Sequence, residues 1–299
     1  TVSGSLSTPI GTAIGPAIPY VDATLPGDNY ICKPFGDIIK STPIIVESPK
    51  KYHAFDNYRV FKYGSVQNRD PLVYVSANDG ALHTLNMTTG AEVYRFYPEA
   101  VHGTLNTAGG DPSYDACNAG EYCHRYLVDG SPVIADIFTG TSYVTYIGAD
   151  IDDSAWRTML INGLGLGGSA YFALDITSGN SINLSDTNPL TSTTYLWQFT
   201  DSELGQAIAD PSIERVSDSA SDATFGGWAA YFGSGYSESS NPVAQANKES
   251  YLFGIEAYTM DDLWLDIPVT GSPINRIKME EDNSLTYFGQ TAEFSSGET

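Results

Sequence analysis

Three carboxylates stand within four residues at Asp150-Ile151-Asp152-Asp153. Asp150, Asp152 and Asp153 offer the hard oxygen ligands that Ca²⁺ takes, with backbone carbonyls able to complete the shell. The same residues also make a solvated turn, because Asp side chains bond nearby backbone amides. Both readings stand on sequence alone. Cys117 and Cys123 enclose five residues, and in an exported protein so short a loop predicts a local disulfide that pins a hairpin. Cys32 is left as a buried thiol or as half of a bridge to something outside the chain. Cys123-His124 does not make a c-type haem site, whose cysteines are two residues apart rather than five. Gly163-Leu-Gly-Leu-Gly-Gly168 has the composition of a phosphate loop, but such a loop needs a helix after it, and a Lys in the Walker case. Ser169 to Ala173 reads as a strand and no Lys is present, so no nucleotide is expected. The glycines predict a hairpin whose backbone passes close to a neighbouring unit. His53, His83, His102 and His124 lack metal spacing. His83 takes an alternating strand position and is expected to be packed or hydrogen-bonded. With no Gly-x-Ser-x-Gly elbow and no assignable carboxylate pair, no catalytic residue is expected.

The elements that must position these groups are short strands. Pro71 to Phe96 reads as three: Leu72 to Ala77, Ala81 to Asn86 and Glu92 to Phe96, joined at Asn78-Asp79-Gly80 and Met87 to Gly90. Asn, Asp and Gly tolerate the left-handed backbone that tight reversals need. The pattern recurs. Pro43, Pro132, Pro211 and Pro273 each precede a short apolar run, where proline starts a strand without breaking a ladder. Strands then follow at Tyr74 to Ala77, Met159 to Asn162 and Ala230 to Gly233, at Leu82 to Asn86, Tyr171 to Asp175 and Tyr251 to Ile255, and at Val93 to Tyr97, Tyr195 to Thr200 and Leu263 to Ile267. Units of four strands predict the blades of an all-β propeller, with a β-sandwich as the rival. The repeats are longer than plain blades, so insertions are placed at 47–70, 98–127, 177–194 and 236–250. The expected organisation is an extended segment or strap over 1–34 and blades over 35–299, approximately 35–97, 128–201, 204–267 and a partial unit at 272–299. Three units and a fourth begun fall short of six to eight blades, leaving closure open.

The ordered runs Phe35-Gly-Asp-Ile-Ile-Lys-Ser-Thr-Pro-Ile-Ile-Val46, Pro71 to His83, Thr89 to Pro98 and His124-Arg-Tyr-Leu-Val-Asp-Gly-Ser-Pro132 resemble the C-terminal propeller of the PilC/PilY family of type IV pilus tip proteins. Trp156 to Gly168, Ala173-Leu-Asp-Ile-Thr177 and Trp197-Gln-Phe-Thr-Asp201 continue the match, over roughly residues 35 to 255. The resemblance implies a non-enzymatic adhesin or pilus-biogenesis factor at the pilus tip. Its expected partners are type IV pilins or minor pilins, or a host-surface or glycan receptor. Some relatives carry an Asp-rich calcium loop; Asp150 to Asp153 is the nearest counterpart, without the Asp-x-Asp-x-Asp-Gly spacing. The Asp-x-Ser-x-Ser motif of a von Willebrand factor A-like region is absent. Since the Asn-Asp-Gly strand pair also occurs in quinoprotein-type blades, the alternative is a quinoprotein-like periplasmic oxidoreductase. That chemistry goes with adjacent cysteines and more tryptophan-docking repeats than four Trp allow, so no bound quinone is expected.

Composition agrees with an exported β protein. The chain has 299 residues, 29 of them Gly and 16 Pro, and a formal charge of −22 from 14 Lys and Arg against 36 Asp and Glu. Such a surface repels phosphate backbones and anionic headgroups, so nucleic acid and direct membrane insertion are not expected. No apolar run approaches the roughly 20 residues of a membrane span, and no signal peptide opens the chain, so Thr1 is read as an internal or processed start. Tyr94, Phe96, Tyr171, Tyr195, Trp197, Tyr231 and Tyr251 lie on strands, where rings fill the space between blades. Tyr52, Tyr58, Tyr63, Tyr114, Tyr122 and Tyr236 lie in insertions, either as a binding face or as scattered surface residues.

Overall fold

The computed structural model describes residues 12–14, 20–21, 30–31, 36–50, 53, 56–64, 66–107, 114–118, 121–139, 155–179, 193–201, 203–217, 225–236, 250–259, 275–279 and 285–288. The N-terminal segment supplies β1 (Thr12–Ile14) and a ribbon of β2 (Tyr20–Val21) with β3 (Tyr30–Ile31). The first sheet is the antiparallel meander β4 (Ile44–Val46), β5 (Leu72–Ala77), β6 (Ala81–Asn86) and β7 (Glu92–Tyr97). β1 extends it on the β7 edge, pairing Ile14 with Arg95.

Local chemistry explains the two turns. Gly80 and Gly90 have φ of 92° and 71°, where a Cβ is penalised. Asn86 Oδ1 accepts from the amides of Thr88 at 3.0 Å and Thr89 at 2.9 Å, which closes the second reversal as an Asx turn.

Among the described residues, two α-helices interrupt the sheets. α1 (Asp56–Tyr63) lies between β4 and β5, and α2 (Glu99–Thr107) follows β7. β8 (Tyr114–Asn118) and β9 (Glu121–His124) then form a separate hairpin. The insertions at 47–70 and 98–127 are therefore partly regular rather than loops. Eight or nine residues give too few turns for helical periodicity to stand out from a polar, Gly-bearing background.

The second sheet is β10 (Val133–Phe138), β11 (Trp156–Gly163), β12 (Tyr171–Asp175) and β13 (Thr194–Phe199). The third is β14 (Ser212–Ser217), β15 (Phe225–Gly233), β16 (Ser250–Glu256), β17 (Asn275–Met279) and β18 (Leu285–Phe288). Leu263 to Ile267, expected to close the third unit, lies outside the described residues. The strands read as the start of a fourth unit are instead hydrogen-bonded onto the third sheet, Leu252 opposite Ile277 and Ile277 opposite Tyr287.

The sheets pack face to face through alternation along the middle one. Leu160, Phe172 and Leu174 join a core with Leu72, Tyr74, Tyr94 and Phe96 of the first sheet. Met159, Ile161, Tyr171 and Ala173 point the other way, into a core with Ala230, Phe232, Phe253 and Ile255 of the third. A strand whose residues are apolar on both faces belongs between two neighbours. This is the stacking of propeller blades.

The glycine run behaves as a close-approach hairpin. β11 ends at Gly163, a 3₁₀ turn covers Gly165–Gly167, and β12 begins at Tyr171. A Cβ on Gly163 would collide with the Ala207 carbonyl oxygen, and one on Gly167 with that of Leu127. Gly165 N donates to Ala207 O at 3.1 Å and Ala207 N to Gly168 O at 2.9 Å, so the hairpin tip is bonded to the segment entering the third sheet.

Candidate functional site

Three segments meet at the Asn78-Asp79-Gly80 turn: the loop ahead of β4, the turn itself and the loop ahead of β10. Asn78 uses its backbone and both amide atoms there. Its N–H donates to Asp37 O at 3.0 Å, its Nδ2 to Asp37 Oδ2 at 3.0 Å, and its Oδ1 accepts from Leu127 N at 3.0 Å. Gly36 is required beneath the turn, because a Cβ would strike the Asp79 amide nitrogen. The 89 residues that separate Pro43 from Pro132 reappear as a spatial register. Lys40 N donates to Asp129 Oδ1 at 3.1 Å and Thr42 N to Ser131 Oγ at 3.0 Å, each across that same separation. Equivalent positions of adjacent blades are thus stitched to each other.

Behind the turn lies a buried charged cluster. His83 is fully buried, with Nε2 3.0 Å from Asp79 Oδ1 and Nδ1 2.7 Å from Glu92 Oε1. Arg95 Nε donates to the same Glu92 oxygen at 2.6 Å, and its Nη1 lies 3.8 Å from Asp79 Oδ2. Burial alone would lower the His83 pKa, but hydrogen bonds to Asp79 and Glu92 outweigh it and hold the imidazole above its ordinary value. Burial alone would raise Glu92; the bonds from His83 and Arg95 reverse this and lower it. His83 is hydrogen-bonded, as its strand position suggested. Its partners were not anticipated, although Asp79 and Glu92 sit four and nine residues away across turns that set the register.

Toward solvent, His124 Nε2 is 2.7 Å from Asp37 Oδ2, both side chains being partly exposed. Burial would raise Asp37, but the bonds from Asn78 and His124 leave its pKa lowered. Asp129 is 1% exposed and burial holds its carboxyl above the usual range. Among the described residues its Oδ2 has no hydrogen-bond partner. These groups can fasten loops and carry charge. No set of three or more His, Cys, Asp or Glu among the described residues could hold a metal ion.

A second polar set anchors the 47–70 insertion to the middle sheet. Tyr58 OH donates to Asp136 Oδ2 at 2.7 Å, Thr158 Oγ1 to Asp136 Oδ1 at 2.7 Å, and Arg69 Nη1 to Thr158 Oγ1 at 2.8 Å. Burial first, then the Asp136 charge, push the Tyr58 phenol well above its ordinary pKa. Tyr58 and Phe61 are buried against Trp156, with ring centroids 4.6 and 6.4 Å away. Tyr58 is therefore core, not part of an exposed tyrosine face. Tyr63 and Tyr236 are exposed, whereas the side chains of Tyr52, Tyr114 and Tyr122 lie outside the description. The third sheet is held to the second by Trp197 Nε1, donating to Ala257 O at 3.0 Å, and by Tyr258 OH, donating to the buried Asp175 at 2.8 Å.

Asp150, Asp152 and Asp153 lie outside the described residues. Cys117 and Cys123 fall on the β8–β9 hairpin, Cys123 opposite Asp115 and Cys117 at the irregularity between Ala116 and Asn118. Their side chains are not described. No helix among the described residues is long and apolar enough to cross a membrane.

Residues 35–272 match the family model described as the PilY1 beta-propeller domain. A type IV pilus biogenesis factor PilY1 from Pseudomonas aeruginosa strain UCBPP-PA14 is 34% identical over 220 residues, covering 70% of this chain and 16% of that protein. A PilY1 homolog from Xylella fastidiosa is 33% identical over 210 residues, covering 67% of this chain and 14% of that protein. The chain thus spans about one sixth of the length of these relatives. The crystal structure of the Pseudomonas aeruginosa PilY1 C-terminal domain is 25% identical, with a TM-score of 0.46 over 80% of this chain and 40% of that one.

Proposed function

The chain belongs to the PilY1 β-propeller family, and from that premise we propose that it serves type IV pilus biogenesis as a non-catalytic binding module outside the cell, at the pilus tip. Its partners in this reading are type IV pilins or minor pilins, with a host-surface or glycan receptor as a second class. The observation that carries it is how the insertions are attached. The 47–70 segment buries Tyr58 and Phe61 into the stacked sheets and leaves Arg59 and Tyr63 outward, so a rigid scaffold presents a fixed outer face. The relatives named above are biogenesis factors, and the oxidoreductase alternative gains no support from them. Calcium at Asp150, Asp152 and Asp153 and a Cys117–Cys123 disulfide belong to this proposal.

The test is genetic and biochemical together. Deleting the coding segment from a strain that makes type IV pili should reduce surface pili, and restoring it should recover them. The purified chain should retain pilin or minor pilin on a column. Normal piliation after deletion, with no retention of either, would refute the proposal.

A further inference from the structure

We propose that the outer edge of β13 is a strand-addition site, which takes an extended, uncharged segment of a partner protein as a fifth strand of the middle sheet. This rests on the binding-module reading above and names how the partner is held. In the first sheet the fourth strand, β7, carries β1 on its outer side; in the third the fourth strand, β17, carries β18. The middle sheet has four strands among the described residues and ends at β13. Both added strands run antiparallel and are uncharged, Thr-Ala-Ile in β1 and Leu-Thr-Tyr-Phe in β18. The two neighbouring sheets thus define the chemistry that completes a sheet at this position: a short antiparallel segment of β-branched and aromatic residues without charge.

The backbone of β13 is set for such a segment. Leu164 N donates to Ala170 O at 3.0 Å and Ile176 N to Thr158 O at 2.8 Å. By antiparallel alternation, Phe172 and Leu174 therefore bond β11, while Tyr171 and Ala173 turn to β13, where their partners are Phe199 and Trp197. Gln198, between those two, turns its N–H and C=O outward. Among the described residues no backbone bond outside the β12 pairing involves Leu196 to Phe199. The strand itself is held still from both sides. Trp197 and Phe199 are buried, the Tyr195 ring stacks on Phe96 with centroids 5.8 Å apart, and Gln198 Oε1 accepts from Ala100 N at 3.0 Å. A rigid edge with outward polar groups is a template for another strand. Edges that must stay unpaired are guarded by charge or proline; Thr194–Phe199 reads Thr-Tyr-Leu-Trp-Gln-Phe and has neither. Its one irregularity lies opposite Ala173 and Leu174, ahead of Gln198. Burial and then the nearby Glu99 carboxylate push the Tyr195 phenol up to about 12. With −22 on the whole chain, basic residues flanking the incoming segment fit better than acidic ones.

The probe is a fluorescent synthetic peptide that alternates Thr with Val and Ile between lysine flanks. Its control has the same side chains but N-methyl groups on alternate amides, which block the ladder and leave the apolar surface. The first peptide should bind the intact chain, and the N-methylated one about tenfold or more weaker, because main-chain hydrogen bonds supply the affinity of an added strand. Gln198→Pro removes the outward N–H and should weaken the first peptide by about tenfold or more. Gln198→Ala loses the side-chain bond to Ala100 N but keeps that N–H, so it should bind within about threefold of the parent. Equal binding of the two peptides overturns the proposal, as does unchanged binding by a folded Gln198→Pro chain. If that variant fails to fold, the two peptides on the parent chain still decide. A concentration-dependent dimer of the parent that the peptide dissociates assigns the edge to a second copy of the chain and overturns the partner strand. Gln198→Pro and Gln198→Ala are also placed in the chromosomal gene. Normal piliation with lost peptide binding overturns this edge as the pilus-partner site and leaves the pilus reading intact. Failure of the unsubstituted segment to restore pili overturns the pilus reading instead.

Discussion

A neutral imidazole has one N–H, but both ring nitrogens of His83 face carboxylate oxygens, which only accept. The buried cluster is complete only with His83 as imidazolium between Asp79 and Glu92. The sign of the pH dependence follows from the two shifts. His83 has a raised folded pKa, so its contribution is full below the ordinary 6.5 and is lost as pH rises through the folded value. Glu92 has a lowered one, so its contribution is full above the ordinary 4.5 and is lost as pH falls through the folded value. The cluster therefore stabilises most between these two ordinary values. His83→Gln should cost on the order of 3 kcal/mol near pH 6, because two buried carboxylates lose the charge between them. The gap between parent and variant melting curves should narrow as pH rises above 6.5 and through the raised folded value of His83. A gap that stays constant from pH 6 upward would rule out the imidazolium.

At the scale of elements, two insertions behave differently. α1 is part of the core, since Tyr58 and Phe61 are buried and the Tyr58 hydroxyl is bonded to Asp136. Tyr58→Phe keeps the ring and removes one bond to a carboxylate, which should cost about 1.5–3 kcal/mol in a denaturant melt. A cost near zero would mean that ring packing alone seats the helix. The β8–β9 hairpin is a two-stranded ribbon, marginal without support, and a bridge between Cys117 and Cys123 would supply it. Thiol titration of the denatured, unreduced chain should then find only Cys32 reactive, with all three cysteines reacting after reduction. Three reactive thiols before reduction would remove the bridge.

At the scale of the whole molecule, the charge of −22 makes any calcium experiment ambiguous unless screening is controlled. If Asp150, Asp152 and Asp153 hold Ca²⁺ in the folded state alone, free calcium at a hundred times Kd should add about 2.7 kcal/mol of stability. Sodium chloride at matched ionic strength should not reproduce that gain. Asp150→Asn with Asp152→Asn should abolish it; an equal calcium response in parent and variant would make the segment an acidic turn. Stacked sheets whose loops are bonded blade to blade suit a binding scaffold, because they hold a surface fixed while its sequence varies.

What the sequence determined by itself was local: the strands β5, β6 and β7, their turns at Gly80 and Gly90, and the placing of prolines 43, 132 and 211 just before strands. These follow from backbone preferences and a period of two, which act over a few residues. Short helices inside polar insertions escaped sequence reading, since one or two turns carry little periodic signal. Only the tertiary structure decided that Asp79, His83, Glu92 and Arg95 share one buried cluster, that Tyr58 is core while Tyr63 is surface, and that Asp129 of one blade binds Lys40 of another. Which side chains lose their water is settled by packing between sheets distant in sequence. No stretch of residues contains that information until the sheets are stacked.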